Sequence, residues 1–222
     1  MATNNPRNIK NELVYFLRNS DILTITQRGV TTSEATGTFT AAASYSISVT
    51  NVKNIRSIVI GGTTLSYGKD YSVDTYFLDT TYKCKITFTV AQTGVYVITY
   101  DHGIGDSIFD DYPRSDLTVS SYPRIGFDII SSITNEIALG GTDTRTKCVI
   151  SFVVCAVNKK NVAAYIYAIR AAFLSAKKDF YTIKFITPIG SGPMGLNPNP
   201  SQKIMQQNID FEAILPIETV AF

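Results

Sequence analysis

The spacing of hydrophobic residues changes once along the first third of the chain, from a helical period to a period of two. Apolar residues recur at helical spacing from Ile9 to Leu17, behind a proline at position 6 that suits a first helical turn. This pattern predicts a helix over residues 6–19, followed by a brief strand at Ile22–Ile25. The polar stretch Thr31–Gly37 has the composition of a linker, so we place a domain boundary near it.

From about Thr38 to Gly103 the hydrophobic period is two, as expected for half-buried strands. Turn signals such as Gly61-Gly62 and Gln92-Thr-Gly94 separate the alternating runs, and no helical pattern lies between them. The pattern predicts a small antiparallel β-sandwich inserted in the chain. Its strands are expected near residues 45–49, 57–60, 71–74, 84–90 and 95–100.

After Gly103 strands and a helix alternate. The most clearly patterned element is a helix over residues 159–178, which Asn158 can cap and in which Val162, Ile166, Ile169 and Phe173 form one apolar face. A Gly- and Pro-rich loop, Gly190–Pro200, is expected to project from the last strand pair. The strands are predicted at Tyr122–Ile130, Cys148–Val157, Phe180–Thr187 and Ile204–Leu215.

These elements together predict an α+β fold. A mixed or antiparallel sheet is expected to pack with an N-terminal and a central amphipathic helix, built from residues 1–33 and 104–222. The small all-β sandwich of residues 34–103 is expected as an inserted module.

Composition narrows the possible functions. The chain has 222 residues, of which 45% are hydrophobic, so it can bury a core. With 20 Lys+Arg against 18 Asp+Glu, the net charge of +2 names neither a nucleic acid nor a membrane as partner. No stretch of about 18 apolar residues is present. The three cysteines include no C-x-x-C pair, so neither a disulfide framework nor a structural zinc site is indicated.

One candidate catalytic cluster is present, Asp101, His102 and Asp106, in which a carboxylate could orient the chain's single imidazole. No G-x-S-x-G motif accompanies it, and Asp101-His-Gly103 also has the composition of a turn. The acidic run from Asp106 to Asp116 lacks the spacing of a calcium loop. We therefore expect no catalytic residue, no metal site and no cofactor, and favour a structural or binding protein over an enzyme.

The order of elements, with a few motifs, resembles the tail-terminator or tail-completion (head–tail joining) family of tailed bacteriophages and related viruses. The resemblance covers residues 1–25 and 110–216. It rests on Asp111-Tyr-Pro-Arg-Ser-Asp116, Tyr122-Pro-Arg-Ile125 and Ile209-Asp-Phe-Glu-Ala213 within that order of helices and strands. The segment Gly62–Asp74 is similar to immunoglobulin-like modules that decorate virion proteins.

The resemblance implies a non-enzymatic virion protein, assembled in the host cytoplasm, that forms a ring at the head-proximal end of the tail. Such a ring, usually a homohexamer, ends polymerisation of the tail tube and joins the tail to the head connector. Its partners are therefore expected to be other copies of itself, the tail-tube protein and the connector or neck proteins. Met194 and Leu196 in the long loop, and Tyr167 outside the main helix stripe, are the expected contacts between subunits.

Three alternatives stay open. One is another neck, baseplate or tail component of a virion. Another, of a different class, is a carbohydrate-binding or adhesion module, favoured by the β module and by 13 tyrosines but not by the absence of tryptophan. A hydrolase using Asp101 and His102 is the last.

Overall fold

The computed structural model describes residues 6–76, 83–105, 107–111, 122–136, 143–176, 180–196 and 203–219. Strands make up 56% of these residues and helices 19%, arranged as two sheets and three helices. The expectation of an α+β fold is therefore wrong, and the protein is mostly β. The error arose because several strands run through polar stretches that had indicated turns and linkers.

The helices and strands have the following bounds in chain order: α1 Pro6–Asn19, α2 Ile25–Arg28, β1 Thr31–Ser46, β2 Val52–Ile60, β3 Thr63–Thr64, β4 Tyr71–Tyr76, β5 Lys83–His102, β6 Ile108–Phe109, β7 Arg124–Glu136, β8 Asp143–Ala156, α3 Lys159–Ser175, β9 Phe185–Ser191, β10 Gly195–Leu196, β11 Met205–Ile214 and β12 Glu218–Thr219. None of the helices in the described part of the chain is long and apolar enough to cross a membrane.

Contacts within the chain divide it into two compact units. The central unit consists of Thr24–Asp106. The flanking unit combines Met1–Leu23 with Ser107–Phe222. The predicted insertion, residues 34–103, lies inside the central unit.

The central unit is built on one five-stranded antiparallel sheet. Strand β5 lies between β1 on one side and two strands on the other, β4 along its first half and β2 along its second. Two irregularities in the β1–β5 register, between Phe39 and Ser44, interrupt the regular ladder. A single sheet thus replaces the two packed sheets expected of a sandwich.

Two polar stretches of the central unit proved to be strand. The presumed linker Thr31–Gly37 is the first half of β1 and pairs with Tyr96–His102. The presumed turn Gln92–Gly94 lies within β5, so two expected strands are one. The strand partners of Thr31–Gly37 are 59 to 71 positions away in sequence, and such non-local pairing leaves little local pattern.

The expected strand at Ile22–Ile25 is also wrong. Ile25 instead begins the short helix α2, capped by a reciprocal pair of hydrogen bonds between Thr24 and Gln27. Gly29 ends α2 in the left-handed conformation, with φ of 65°. A capping box of this kind outweighs the β propensity of the isoleucine.

The flanking unit contains a seven-stranded sheet in the order β10-β11-β8-β7-β6, with β9 also on β11 and β12 also on β8. All pairs are antiparallel except β6 with β7. Strands β9 and β10 lie one after the other along the same edge of β11. Strand β8 lies at the centre, as its long apolar run predicted.

Helices α1 and α3 contribute to one hydrophobic core with the sheet of the flanking unit. Val162, Ile169 and Phe173 are fully buried, and Ile166 packs against the same core. The side chain of Asn158 accepts a hydrogen bond of 2.8 Å from the Asn161 amide, so the predicted N-cap is confirmed. Helix α3 ends at Ser175; the predicted last turn, with Lys177 and Lys178, lies outside the described residues.

Candidate subunit interface

The outer face of α3 carries large exposed side chains. Tyr167 is 74% exposed and Leu174 43% exposed. They lie seven positions apart with Arg170 between them, a spacing that places all three on one side of the helix. This α3 stripe contributes nothing to the core of its own unit.

The sheet edge beside α3 is apolar as well. Ile189 in β9 is 56% exposed and Leu196 in β10 is 65% exposed. Met194, which lies between them, is half-buried and packs against the core of its own unit. Of the three predicted contact residues, Tyr167 and Leu196 therefore present their side chains to solvent, whereas Met194 is largely engaged internally.

A shallow cleft of about 190 Å³ separates α3 from β9. Its walls include Ile166 and Arg170 from the helix and Pro188 and Ile189 from the strand. The volume is below the 300–1,000 Å³ typical of pockets for drug-sized ligands. The cleft therefore fits a side chain of another protein better than a cofactor.

The sequence predicts that the segment Gly190–Pro200 projects as a loop. Its described part instead follows the sheet edge: Gly190 and Ser191 end β9, and Gly195 and Leu196 pair with β11 as β10. Residues 197–200 lie outside the described residues. Pro193, which has no backbone N–H, lies between the two strands and outside the ladder, so the chain can pair with β11 again at Gly195.

A second exposed element lies towards the opposite edge of the sheet. We call it the arm, and it consists of Ile130–Glu136 of β7 with Asp143–Lys147 of β8. All seven β7 residues of the arm are exposed, including Ile130 at 53% and Ile133 at 60%. Strand β6 pairs with β7 only at Ile125 and Gly126. In the described structure the outer side of β7 along the arm is therefore an open strand edge.

Of the candidate catalytic cluster, the two described members, Asp101 and His102, make separate contacts. Asp101 is fully buried and accepts hydrogen bonds from Arg28 Nη1 at 2.8 Å, Arg56 Nε at 2.7 Å and Thr32 Oγ1 at 2.7 Å. Burial alone would raise the pKa of Asp101, but the bonds from Arg56 and Thr32 and the charge of Arg28 outweigh it and lower the pKa. The carboxylate thus serves a buried ion-pair network.

His102 makes a different contact. Its Nε2 lies 2.9 Å from Oγ of Ser33, but Asp101 precedes it directly in β5, and neighbouring residues of a strand point to opposite faces. The carboxylate that would complete a serine–histidine–aspartate triad is therefore committed elsewhere. Asp106, the third member of the candidate cluster, lies outside the described residues.

The acidic run gives no cation site in the part that is described. Asp110 and Asp111 are exposed, and Asp106 and Asp116 lie outside the described residues. Within the described ranges no group of three or more His, Cys, Asp or Glu side chains could hold a metal ion. All three cysteines are buried free thiols.

Two features were not predicted from the sequence. The arm was missed because five of the six residues 131–136 are polar, which suggested that the strand ended at Ile130. Two isoleucines, at positions 130 and 133, were the available signal. The Arg28–Asp101 pair spans 73 positions and has no local signature.

No protein-family model matches the chain, and no curated protein matches it at a significant level. The resemblance to tail-terminator proteins therefore remains a prediction from the sequence.

Proposed function

We propose that the protein is a virion structural protein whose copies associate into a ring at the head-proximal end of a viral tail. In that position the ring would end tail-tube polymerisation and join the tail to the head connector. The family resemblance of the sequence supplies the biological setting of this proposal. The structure supplies support for the self-association.

The observation that carries the proposal is the apolar surface of α3 and the adjacent sheet edge, formed by Tyr167, Leu174, Ile189 and Leu196. Large exposed apolar side chains grouped in this way mark surfaces that bury against another protein. Aromatic residues such as Tyr167 are enriched in the centres of these surfaces. The cleft beside Ile189, at about 190 Å³, is smaller than the pockets that usually bind small-molecule substrates.

Ring closure needs two different complementary faces on each subunit, because the same head-to-tail contact repeats until the rotation closes. The flanking unit has two exposed regions, the surface of α3 and β9 at one edge of the sheet and the arm towards the other edge. A symmetric dimer would need only one self-complementary face.

Native mass spectrometry of the purified protein, with negative-stain images, tests the proposal. We expect a closed ring, six-fold in the family that the sequence resembles. In the variant Tyr167→Ser/Leu196→Ser, assembly should weaken while the unfolding midpoint of the subunit stays nearly unchanged, since both side chains are already exposed.

The matched control is Val90→Ser/Val95→Ser, which removes two exposed apolar residues from the central unit, 69% and 66% exposed. This variant should assemble like the wild type. A wild-type protein that stays monomeric at high concentration would contradict the proposal. A stacked tube or baseplate-like assembly in the images would favour another tail component.

A further inference from the structure

The seven-stranded sheet of the flanking unit ends in two open edges. In the described structure β9 pairs with β11 on one side only, and β7 along the arm pairs with β8 on one side only. An unpaired strand edge is a ready template for pairing with another chain. The two edges lie at opposite ends of the strand order.

The strand directions at these two edges are compatible. Strand β9 runs antiparallel to β11, β11 to β8, and β8 to β7, so β9 and β7 run in opposite directions. A second copy placed beside the first, with its sheet continuing in the same plane and its helices on the same face, brings its β7 antiparallel to β9. No reversal of either copy is needed.

We propose that the arm of one copy pairs with β9 of the next copy as an antiparallel strand, with Ile133 opposite Thr187. This inference rests on the proposed self-association and names its two faces. The contact is head-to-tail, as a ring requires.

The burial pattern restricts the register. In β9 the even-numbered Ile186 is buried against the helix-covered core, and in the arm Ser132 lies opposite Cys148, which belongs to the same core. Even-numbered residues therefore face the helices in β9 up to Pro188, where its register on β11 shifts, and in the arm after Ile130, where the register of β7 on β8 shifts. Since paired residues share a face, even positions must pair with even ones and odd with odd.

Charge and apolar contact select one register among those allowed. With Ile133 opposite Thr187, Lys184, the residue directly before β9, comes opposite Glu136 when the pairing is extended by one position, and neither has an ion-pair partner in the described part of the chain. Ile133 then lies diagonally from Phe185, which is 37% exposed, on the side of Thr187 away from Ile189, which is 56% exposed and lies where the register of β9 on β11 shifts. A shift by two residues separates the opposite charges.

Pro188 limits what else this edge can bind. It lies opposite Ser132 in the proposed register and has no backbone N–H, so the ladder lacks one donor there. A proline at an edge weakens indiscriminate strand pairing. Side-chain matching along β9 therefore has to select the partner strand.

Cysteine cross-linking tests the register directly. A protein carrying Ile133→Cys is mixed with one carrying Thr187→Cys and oxidised, and the native cysteines do not compete because they are buried. We expect a cross-linked dimer as the main product. The pair Asn135→Cys with Thr187→Cys, which is displaced by two residues, should cross-link at least several-fold less.

A charge swap gives an independent measurement. Lys184→Glu and Glu136→Lys each place like charges across every contact, so each variant alone should need about tenfold more protein to assemble. An equimolar mixture of the two variants should assemble near the wild-type concentration, because every mixed contact again joins opposite charges.

The outcomes separate this inference from the proposed function. A wild type that assembles, with neither cross-linking at 133–187 nor an effect of the charge changes, overturns the arm–β9 contact and leaves the ring intact. Preferential cross-linking of the displaced pair also overturns the register. A wild type that remains monomeric overturns both proposals.

Discussion

Asp101 is fully buried in β5, where its carboxylate pairs with the guanidinium groups of Arg28 and Arg56. Both carboxylate oxygens accept hydrogen bonds in this network, so Asp101 is not free to orient His102, its neighbour in the sequence. A buried charge is tolerated when it is paired and hydrogen-bonded, and removing one partner leaves the other uncompensated. Asp101 is thus a stability determinant of the central unit.

We predict that Asp101→Asn destabilises the central unit by about 3 kcal/mol or more, because the buried Arg28 side chain loses its counter-charge. Urea unfolding, combined with hydrogen exchange of the β5 amides, measures the loss. Glu34→Gln is the matched control: Glu34 lies in β1 of the same unit but is exposed. A loss for Asp101→Asn no larger than for this control contradicts the prediction.

The same residue should make stability depend on pH. The pKa of Asp101 is lowered from its ordinary value of 3.8, so the unfolded chain binds a proton there more readily than the folded one. Its contribution is complete above about pH 4 and is lost as the pH falls through the folded-state pKa. The difference in stability between wild type and Asp101→Asn should therefore shrink on acidification, which urea unfolding at a series of pH values measures.

Contacts between residues that are close in sequence could be predicted, whereas contacts between distant residues could not. Val162, Ile169 and Phe173 were predicted to share a buried face because a helix brings positions three and four apart together. Arg28 and Asp101 lie 73 positions apart, so no helical or strand period relates them. Their pairing needs the β1–β5 ladder first, and that ladder joins residues about seventy positions apart.

The same limit explains which elements could be predicted. Helix α3 was found almost to its true end, since its cap and its apolar period are local. Strand β5 was divided in two at Gln92–Gly94, and β7 was ended six residues early at Ile130. In both cases most of the missing strand residues are polar, and they gain their conformation from a partner strand.

The buried carboxylate of Glu12 connects helix α1 to the segment that precedes β9. Glu12 is 5% exposed and accepts hydrogen bonds from the backbone amides of Tyr181 and Thr182, the latter at 2.8 Å, and from the Thr182 hydroxyl. These bonds join α1 to the segment that leads into β9. Neither end of the contact is predictable alone, because 169 positions separate Glu12 from Tyr181.

We predict that Glu12→Ala costs the flanking unit about 1–3 kcal/mol, because two partly buried backbone donors lose their acceptor. Asn11→Ala provides the control, since Asn11 is the exposed neighbour on the same helix. Denaturant unfolding measures the cost, and exchange of the Tyr181 and Thr182 amides shows whether the loss is local. Protection of these two amides equal to wild type in Glu12→Ala would contradict the assignment.

At the scale of the whole molecule, both exposed regions proposed for assembly belong to the flanking unit. The arm and the α3–β9 surface are parts of one sheet and its helices, and the strands of the central unit form a separate sheet. If the arm–β9 contact is right, self-association should not depend on the central unit. The central unit is then available for another partner.

We therefore predict that replacing Thr24–Asp106 by a short Gly/Ser linker leaves a flanking unit that folds and still assembles. Its core residues, from Leu13 in α1 to Phe211 in β11, pack among themselves, so the deletion removes none of them. Circular dichroism and native mass spectrometry check folding and assembly separately.

The same deletion carrying Lys184→Glu is the control, which should fold equally well but assemble only at higher concentration. A deletion protein that folds but stays monomeric would show that the central unit supplies part of the subunit contact. An unfolded one would show that the flanking unit depends on the central unit for its stability.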